Sequence, residues 1–172
     1  MPRLFVGIDF PQELKLDLSK LCAGVPGAEW VRPCKFHLTL RFIGAVDDPT
    51  VTNITDALLR IEASSFMLSL AGVGHFGGHT PWVGVEKNPA LISLQDRIED
   101  RLQQIGLEAD TRPYFLHVKL AHLKRRRSLR AFLTENADFR ADPFQVKCFS
   151  LGESRPDANG AIYEHKADYA LH

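Results

Sequence analysis

Hydrophobic residues recur along the chain with two different periods. Segments that are rich in strand-forming residues, or that alternate between apolar and polar positions, predict strands at 3–10, 36–43, 66–74, 81–86, 114–121, 143–151 and 161–169. Segments with apolar residues three or four positions apart predict helices at 12–22, about 50–62, 90–105 and 128–137. Strands that follow one another indicate antiparallel pairing, with helices packed on the outer faces. The pattern therefore predicts an α+β fold.

Two of the predicted strands each place a histidine on their polar face. In the first strand His37, Thr39 and Arg41 alternate with apolar residues, and in the second His117 and Lys119 do the same. Residues i and i+2 of a strand share a face, so each histidine points into the same space as a hydrogen-bond donor. The two histidines lie about half a chain apart, a spacing that suggests an internal duplication with two facing lobes.

Such a pair of half-sites has the parts needed to hydrolyse a phosphodiester without a metal. Two imidazoles with pKa values near neutrality can act as base and acid, one starting neutral and the other protonated. The Thr39 hydroxyl and the Lys119 ammonium can donate to the phosphoryl oxygens. A histidine on a strand is more often a plain surface residue, but here two of them occur in similar apolar frames, HLTL and HVKL.

Composition limits the class of protein. The 172 residues have zero formal net charge and a hydrophobic fraction of 45%, as expected of one globular domain, 1–172, since two independent halves would each be marginal. Three cysteines without CxxC spacing favour a reducing compartment over a disulfide framework or structural zinc. The apolar N-terminal stretch is too short for a signal peptide or membrane span, so a cytoplasmic protein without membrane contact is expected.

Basic residues cluster next to the second histidine, at 119, 124–127 and 130. Arg125 and Arg126 are candidate contacts to an RNA backbone, although such a run can also be a solvated turn. No group of side chains has the spacing of a metal site, and we expect neither a metal nor another cofactor. No GxxxxGK[ST] loop is present, which argues against an ATP-dependent ligase.

Four segments carry a family resemblance: RLFVGIDFP, GAEWVRPCKFHLTLRFIG, RPYFLHVKLAHLKR and LGESRPDANGAIYEHKADYAL. Together they resemble the RNA 2′,3′-cyclic phosphodiesterases, also called 2′-5′ RNA ligases, of the two-histidine phosphoesterase superfamily. The resemblance covers nearly the whole chain. It implies a bilobal α+β fold, with an antiparallel sheet of each pseudo-symmetric lobe lining a central cleft and helices outside.

The resemblance also implies an activity and residue roles. The activity is metal-independent hydrolysis of a 2′,3′-cyclic phosphate at an RNA end to a 2′-phosphate, by a protein that is commonly monomeric. His37 is then the proton donor and His117 the proton acceptor, with Thr39 and Lys119 binding the phosphate. Arg41, together with His122 and the basic residues at 125 and 126, is a candidate substrate contact.

Two positions depart from the family pattern. The second motif normally has threonine where this chain has Lys119, and often arginine where it has His122. Lys119 could take over charge neutralisation at the phosphate, or the second half-site could be weakened, leaving a protein that mainly binds nucleotides or RNA ends. A 2′-5′ RNA ligase and a phosphodiesterase for small cyclic nucleotides remain alternative functions.

Overall fold

The computed structural model describes residues 1–111, 115–158 and 160–172, which form four helices and eleven strands. The helices are α1 (Gln12–Ser19), α2 (Asp48–Leu59), α3 (Pro89–Gln104) and α4 (Arg130–Glu135). The strands are β1 (Arg3–Asp9), β2 (Ala28–Trp30), β3 (His37–Ala45), β4 (Phe66–Leu68), β5 (Leu70–Phe76), β6 (Thr80–Val85), β7 (His117–Lys119), β8 (Ala121–Leu123), β9 (Phe144–Val146), β10 (Cys148–Asp157) and β11 (Gly160–Ala170). The α+β prediction is confirmed. Tyr114 of the predicted strand 114–121 and Asn159, just before the predicted strand 161–169, lie outside the described residues.

The first sheet joins the two ends of the chain. Its order is β11-β10-β1-β3, and all its pairs are antiparallel. The N-terminal strand β1 lies between β10 and β3, so that Phe5 is paired with Gly152 on one side and with Phe42 on the other. This sheet therefore takes strands from both halves of the sequence.

The second sheet is built from the middle of the chain. Strands β5, β6 and β7 pair antiparallel, and β8 continues along the edge of the β5–β6 hairpin because Leu123 N donates to His79 O at 2.8 Å. Strand β2, which the sequence did not predict, pairs with β8. Strands β4 and β9 form a separate two-stranded pair. The two sheets do not correspond to the two halves of the sequence.

Two irregularities in the β1–β3 register change which residues of β3 share a face. His37 pairs with Asp9 and Thr39 with Gly7, but Arg41 then pairs with Val6, whose side chain is fully buried. Arg41 therefore lies on the opposite face of β3 from His37. The prediction from simple alternation, which put the two on one face, is wrong. The carbonyl of Leu40, at this bulge, accepts a hydrogen bond from Gln95 of α3 at 3.1 Å.

The predicted strand 114–121 is interrupted in a similar way. Strand β7 ends at Lys119, and Leu120 and Ala121 are both fully buried, so the alternation of faces shifts before β8 begins. Leu120 N donates to Pro81 O and Leu120 O accepts from Val31 N at 2.8 Å, which anchors the shift to neighbours on both sides. Ala121 consequently does not share the face of His117 as the alternation predicted.

One continuous hydrophobic core holds the elements together. It includes residues of both sheets and of all four helices, for example Leu18 of α1, Leu58 of α2, Ile98 of α3 and Phe132 of α4. Helix α3 faces it with residues three or four positions apart, as the sequence predicted. The packing also brings β3 and β7 against each other, and these are the two strands that carry the histidines.

Candidate active site

The first half-site lies at the start of β3. His37 Nδ1 lies 2.8 Å from the carbonyl oxygen of Lys35, and His37 Nε2 lies 3.0 Å from the hydroxyl of Thr39. A carbonyl only accepts, so Nδ1 carries a hydrogen and Nε2 is left to exchange the second proton. Thr39 is buried beneath it. The backbone thus fixes the ring orientation, and the threonine lies at the reactive nitrogen.

Aromatic rings enclose His37 on two sides. The Phe5 ring lies 4.9 Å from the imidazole, centroid to centroid, and the Tyr163 ring meets it edge-on at 5.0 Å. Gly152 makes room for Phe5, because a Cβ there would lie 2.5 Å from the Phe5 ring. A cavity of about 150 Å³ opens beside His37, with Lys35 also on its wall. The imidazole is therefore held in a largely apolar frame with one open side.

This frame shifts the proton affinity of His37. Burial lowers its pKa from the usual 6.5, while the hydrogen bond to the Lys35 carbonyl and the charge of Asp9 act in the opposite direction. Asp9 is itself paired with Lys15 at 2.9 Å. The neutral imidazole is therefore favoured.

The second half-site has the same backbone arrangement. His117 Nδ1 lies 2.7 Å from the carbonyl oxygen of Phe115, two residues earlier, as His37 Nδ1 lies against the carbonyl two residues before it. Its Nε2 is again the nitrogen left for proton exchange. The Phe76 ring meets His117 edge-on at 4.8 Å, and Trp82 lies at 6.5 Å. Each histidine therefore lies on a strand with an aromatic wall and a fixed Nδ1.

Lys119 lies on the same face of β7 as His117. It is exposed and pairs in register with Trp82 of β6. Among the described residues it has no carboxylate within ion-pair distance, so its ammonium is available to an anion beside the second histidine. It occupies the place that Thr39 has in the first half-site, but with a longer side chain and a positive charge.

Together the two half-sites provide the groups for a reaction that needs one proton acceptor and one proton donor. Packing of β3 against β7 places the two histidine strands next to each other, and each presents an Nε2 with a donor side chain two residues later. One imidazole can accept a proton while the other gives one, with Thr39 and Lys119 donating to an anion between them.

The remaining predicted contacts lie on β3, on β8 and on the loop after β8. Arg41 donates to Glu99 at 2.6 Å and to the carbonyl of Glu108, on the face of β3 that looks towards α3. His122 is exposed on β8, opposite Glu29. Arg125 and Arg126 are exposed on the loop after β8. Arg41 therefore lies away from the histidine face, whereas for His122, Arg125 and Arg126, which are all exposed, the role of substrate contact stays a prediction.

Tyr163, Phe5 and Phe115 are site residues that the sequence analysis did not single out. Phe5 lies on β1 and Tyr163 on β11, so they reach His37 only through the long-range pairing of the first sheet. The alternation of β1 could have indicated Phe5, since it shares a face with Gly7 and Asp9, but no local signal points to Tyr163. Within the described ranges, no group of three or more His, Cys, Asp or Glu side chains could hold a metal ion.

Comparison with known proteins gives the family. The family model for LigT-like phosphoesterases matches residues 8–83. A curated protein of Aeropyrum pernix named RNA 2′,3′-cyclic phosphodiesterase is 32% identical over 82% of this chain and 84% of its own length. The chain belongs to the LigT-like phosphoesterase family. A protein of the same name from Archaeoglobus fulgidus is 26% identical over 94% of this chain and 96% of its own.

Solved structures give the same fold. A crystal structure of E. coli LigT with 3′-AMP has a TM-score of 0.83 at 22% identity, over 99% of both chains. Another crystal structure, described only as a phosphoesterase, has a TM-score of 0.86 at 22% identity and covers 99% of this chain and 98% of its own. The predicted two-lobed α+β fold and the predicted class of enzyme, a phosphodiesterase of the two-histidine type, are confirmed. Over the part of the chain that the structure describes, no helix is both long and apolar enough to cross a membrane.

Proposed function

We propose that this LigT-like phosphoesterase hydrolyses 2′,3′-cyclic phosphates at RNA ends to 2′-phosphates, with His37 and His117 as the acid–base pair. The observation that carries the proposal is the matched geometry of the two histidines. Each Nδ1 is held by the carbonyl two residues earlier, at 2.8 Å and 2.7 Å, so each Nε2 is presented for proton exchange. The names of the curated relatives, RNA 2′,3′-cyclic phosphodiesterase, support the substrate class.

The reaction needs one group that accepts a proton and one that donates a proton, and two imidazoles can supply both. In the proposed mechanism His117 Nε2 takes a proton from water, whose oxygen attacks the phosphorus. The bond from phosphorus to the ribose 3′ oxygen breaks, and His37 Nε2 gives its proton to that oxygen, which leaves a 2′-phosphate. One proton is taken up and one is released, and a second turnover begins after the two histidines exchange a proton with solvent.

Thr39 and Lys119 are proposed to bind the phosphoryl oxygens. The Thr39 hydroxyl lies 3.0 Å from His37 Nε2, close enough to share one phosphate with it. Lys119 is exposed on the histidine face of β7 and supplies a positive charge to the phosphoryl group as negative charge builds up on its oxygens. The proposal also holds the chain to be one catalytic domain, 1–172, because each sheet contributes one histidine.

The decisive experiment uses a short RNA with a 2′,3′-cyclic phosphate end. The protein is incubated with it in the presence of a chelator, and the position of the product phosphate is determined by NMR or by enzymatic end analysis. We expect a 2′-phosphate. His37→Ala and His117→Ala should each lower kcat by about a hundredfold or more, as expected for loss of a general acid or base.

The matched control is His172→Ala, which removes a histidine that lies far from His37 and His117 in the sequence. His172 lies against Ala63, away from both histidine strands, and its replacement should leave kcat unchanged. Absence of product from the unmodified protein would overturn the proposal. Tight binding of the RNA with no turnover would instead favour a protein that only binds nucleotides or RNA ends.

A further inference from the structure

A second, strongly basic cavity lies beyond the turn of the β5–β6 hairpin. Its volume is about 620 Å³, within the range of ligand-binding sites. Its walls are formed by the hairpin residues His75 and Gly78, by the segment 126–130, and by Leu133 and Thr134 of α4. It is called the basic cavity below. None of its lining residues belongs to either histidine half-site.

The arginines of the basic cavity carry uncompensated charge. Arg126, Arg127 and Arg130 are exposed, and in the described part of the chain none of them has a carboxylate within ion-pair distance. Lys124, just before them, differs because it pairs with Glu29 at 3.4 Å. A chain of zero net charge has no general attraction for anions, so this local concentration of unpaired arginines is what would attract one.

His75 adds a neutral hydrogen-bond donor to the same wall. The backbone N–H of Gly78 donates to His75 Nδ1 at 3.0 Å. Because Nδ1 accepts, the ring carries a hydrogen on Nε2, which can donate to an anion. Ser128 also lines the cavity, and its hydroxyl, which accepts from Arg130 N at 3.5 Å, keeps its own hydrogen for an anion. The basic cavity therefore combines guanidinium groups with neutral donors, a combination suited to phosphate oxygens.

The hairpin connects the basic cavity rigidly to the second half-site. At one end of β6 Gly84 pairs with His117, and beyond its other end Gly78 O accepts from Arg127 N at 3.2 Å. His75 of the cavity and Phe76, whose ring contacts His117, are neighbours on β5, so their side chains lie on opposite faces of that strand. Gly78 also fits closely under the arginine segment, since a Cβ there would lie 2.9 Å from Arg126 Cγ. The cavity thus lies on the other face of the hairpin from His117: it does not hold the reacting phosphate, but it is within reach of the same strand of RNA.

We propose that the basic cavity binds backbone phosphates of an RNA whose cyclic end occupies the histidine site. This inference rests on the proposed function and extends it, because it makes a polynucleotide the preferred substrate over a mononucleotide. Guanidinium groups bind phosphates through paired hydrogen bonds and carry no base preference. The RNA would therefore be selected for its length and charge.

The first test compares two substrates on the unmodified protein. One is a mononucleotide 2′,3′-cyclic phosphate, and the other is a single-stranded RNA of about ten nucleotides with the same end. We expect a kcat/KM at least about tenfold higher for the RNA at low salt, and a steep fall with salt for the RNA only. Equal kcat/KM values with equal salt dependence would overturn the inference, while leaving the proposed function intact.

The second test removes charge from the basic cavity. In the variant R126Q/R127Q, kcat/KM for the RNA should fall about tenfold, and its logarithmic salt slope should become shallower by about 1.4, since each lost phosphate contact on a single strand contributes about 0.7. Turnover of the mononucleotide, which does not reach the cavity, should change less than about twofold. An equal fall for both substrates, or for neither, would contradict the inference.

The matched control is R60Q/R101Q, which removes the same charge from another part of the surface. Arg60 and Arg101 line a separate groove, which also has Glu62 and Asp100 on its wall. This variant should turn over the RNA as the unmodified protein does. A fall equal to that of R126Q/R127Q would show a general charge effect and would overturn the assignment to the basic cavity.

A binding measurement separates this inference from catalysis. Fluorescence anisotropy with a labelled RNA of the same length and a plain 3′-hydroxyl end needs no turnover. R126Q/R127Q should bind it about tenfold more weakly than the unmodified protein, and Arg130→Gln, in case the double variant does not fold, about threefold more weakly. Unchanged affinity in the folded variants would overturn the inference even where hydrolysis is observed.

Discussion

His37 is subject to two opposing influences on its proton. Burial against Phe5 and Tyr163 lowers its pKa, which favours the neutral ring. The proposed role as proton donor requires the protonated ring. An anionic phosphate next to Nε2 would favour protonation again, because an opposite charge close to an imidazole raises its pKa. Under the proposed mechanism the acid is therefore charged mainly once the substrate is bound.

This coupling predicts different pH profiles for kcat/KM and kcat. The kcat/KM profile follows the free enzyme, so it should fall as pH rises through the lowered pKa of His37, below 6.5. The kcat profile follows the complex, in which the phosphate raises that pKa, so its alkaline fall should come at higher pH. Steady-state kinetics between pH 5 and 9 measure both. Alkaline limbs at the same pH in the two profiles would contradict this order. A His37→Gln variant that keeps the alkaline limb in both profiles would contradict it as well.

The same lowered pKa has a consequence for stability. Below pH 6.5 the unfolded chain takes up a proton at His37 before the folded chain does, so protonation favours the unfolded state. The free energy of unfolding should therefore fall as pH drops from above 6.5 towards the folded-state pKa. In His37→Gln this part of the pH dependence should disappear, as measured by urea denaturation at pH 7.5 and 5.5. An identical pH dependence in the variant would contradict the prediction.

Lys119 allows a direct comparison of a charge with a hydroxyl. If it neutralises the phosphate, Lys119→Ala should lower kcat/KM for the cyclic phosphate about ten- to a hundredfold. Lys119→Thr should recover part of the loss, since a hydroxyl still donates to a phosphoryl oxygen. Lys147→Ala, at an exposed position between β9 and β10, is the control and should have no effect. No change in either Lys119 variant would show that Lys119 does not contact the phosphate.

At the scale of single residues, the sequence was informative where the backbone is regular. The i, i+2 relation put Thr39 beside His37 and Lys119 beside His117, and the structure has both pairs on common faces. It failed for Arg41, because one extra residue at a bulge reverses the faces of the side chains that follow it, until the second irregularity of this strand reverses them again. A bulge depends on the partner strand and on Gln95 of α3, which no local pattern contains.

At the scale of elements, the β5–β6 hairpin determines the shape of the second half-site. Gly74 pairs with Trp82, and a Cβ at Gly74 would lie 2.3 Å from the Trp82 ring. The ring lies flat over the glycine and contacts Phe115 at 5.0 Å and Phe76 at 5.6 Å. These two phenylalanines in turn contact His117. The glycine therefore positions the aromatic wall of the second histidine.

Gly74→Ala should accordingly damage both the fold and the site. Displacing Trp82 from a packed position should lower the free energy of unfolding by about 1–3 kcal/mol and reduce kcat for the cyclic phosphate. Thermal denaturation and steady-state kinetics measure the two effects.

The double variant Gly74→Ala/Trp82→Phe is the control, because the smaller ring leaves room for the new methyl group. In the Trp82→Phe background, Gly74→Ala should lower the free energy of unfolding and kcat much less than it does in the unmodified protein. Additive effects of the two substitutions would show that the glycine does not act through Trp82.

Helices were predicted more reliably than short strands. The apolar spacing of α3 is visible in the sequence, and Asn88 and Asp47 accept hydrogen bonds at the N-termini of α3 and α2. Strand β2 has only three residues and pairs with a strand far along the chain, so no local period reveals it. The break between β7 and β8 was not predicted either, because it also depends on hydrogen bonds to residues far along the chain.

For the whole molecule, the continuous core makes the two lobes one folding unit. Core residues of the first sheet, such as Val6 and Leu151, belong to the same cluster as Val83 and Val118 of the second. Local damage should therefore not unfold one lobe alone.

We expect a single cooperative unfolding transition. Tryptophan fluorescence reports on β2 and β6, which carry Trp30 and Trp82, whereas far-ultraviolet circular dichroism reports on the whole chain. Urea curves from the two probes should coincide within error. Separate midpoints would show that the lobes unfold independently and that 1–172 is not one domain.

The two-lobed shape was predicted through a family resemblance, and a pattern of local periods could not have provided it. The half-chain spacing of His37 and His117 suggested that each half of the sequence builds one lobe. Instead, β10 and β11 from the second half complete the sheet of β1 and β3. Strand order is a property of long-range pairing, which the alternation of residues within a strand does not encode.

The place of β1 in the first sheet bears on how the protein is made. On the ribosome, β1 emerges about 150 residues before its partner β10, because Arg3 pairs with Ser154. Until then β1 has β3 on one edge and a free row of backbone donors and acceptors on the other, an arrangement prone to wrong pairing. Contacts so distant in sequence also slow folding. The nascent chain therefore depends on late residues to complete the sheet that carries His37.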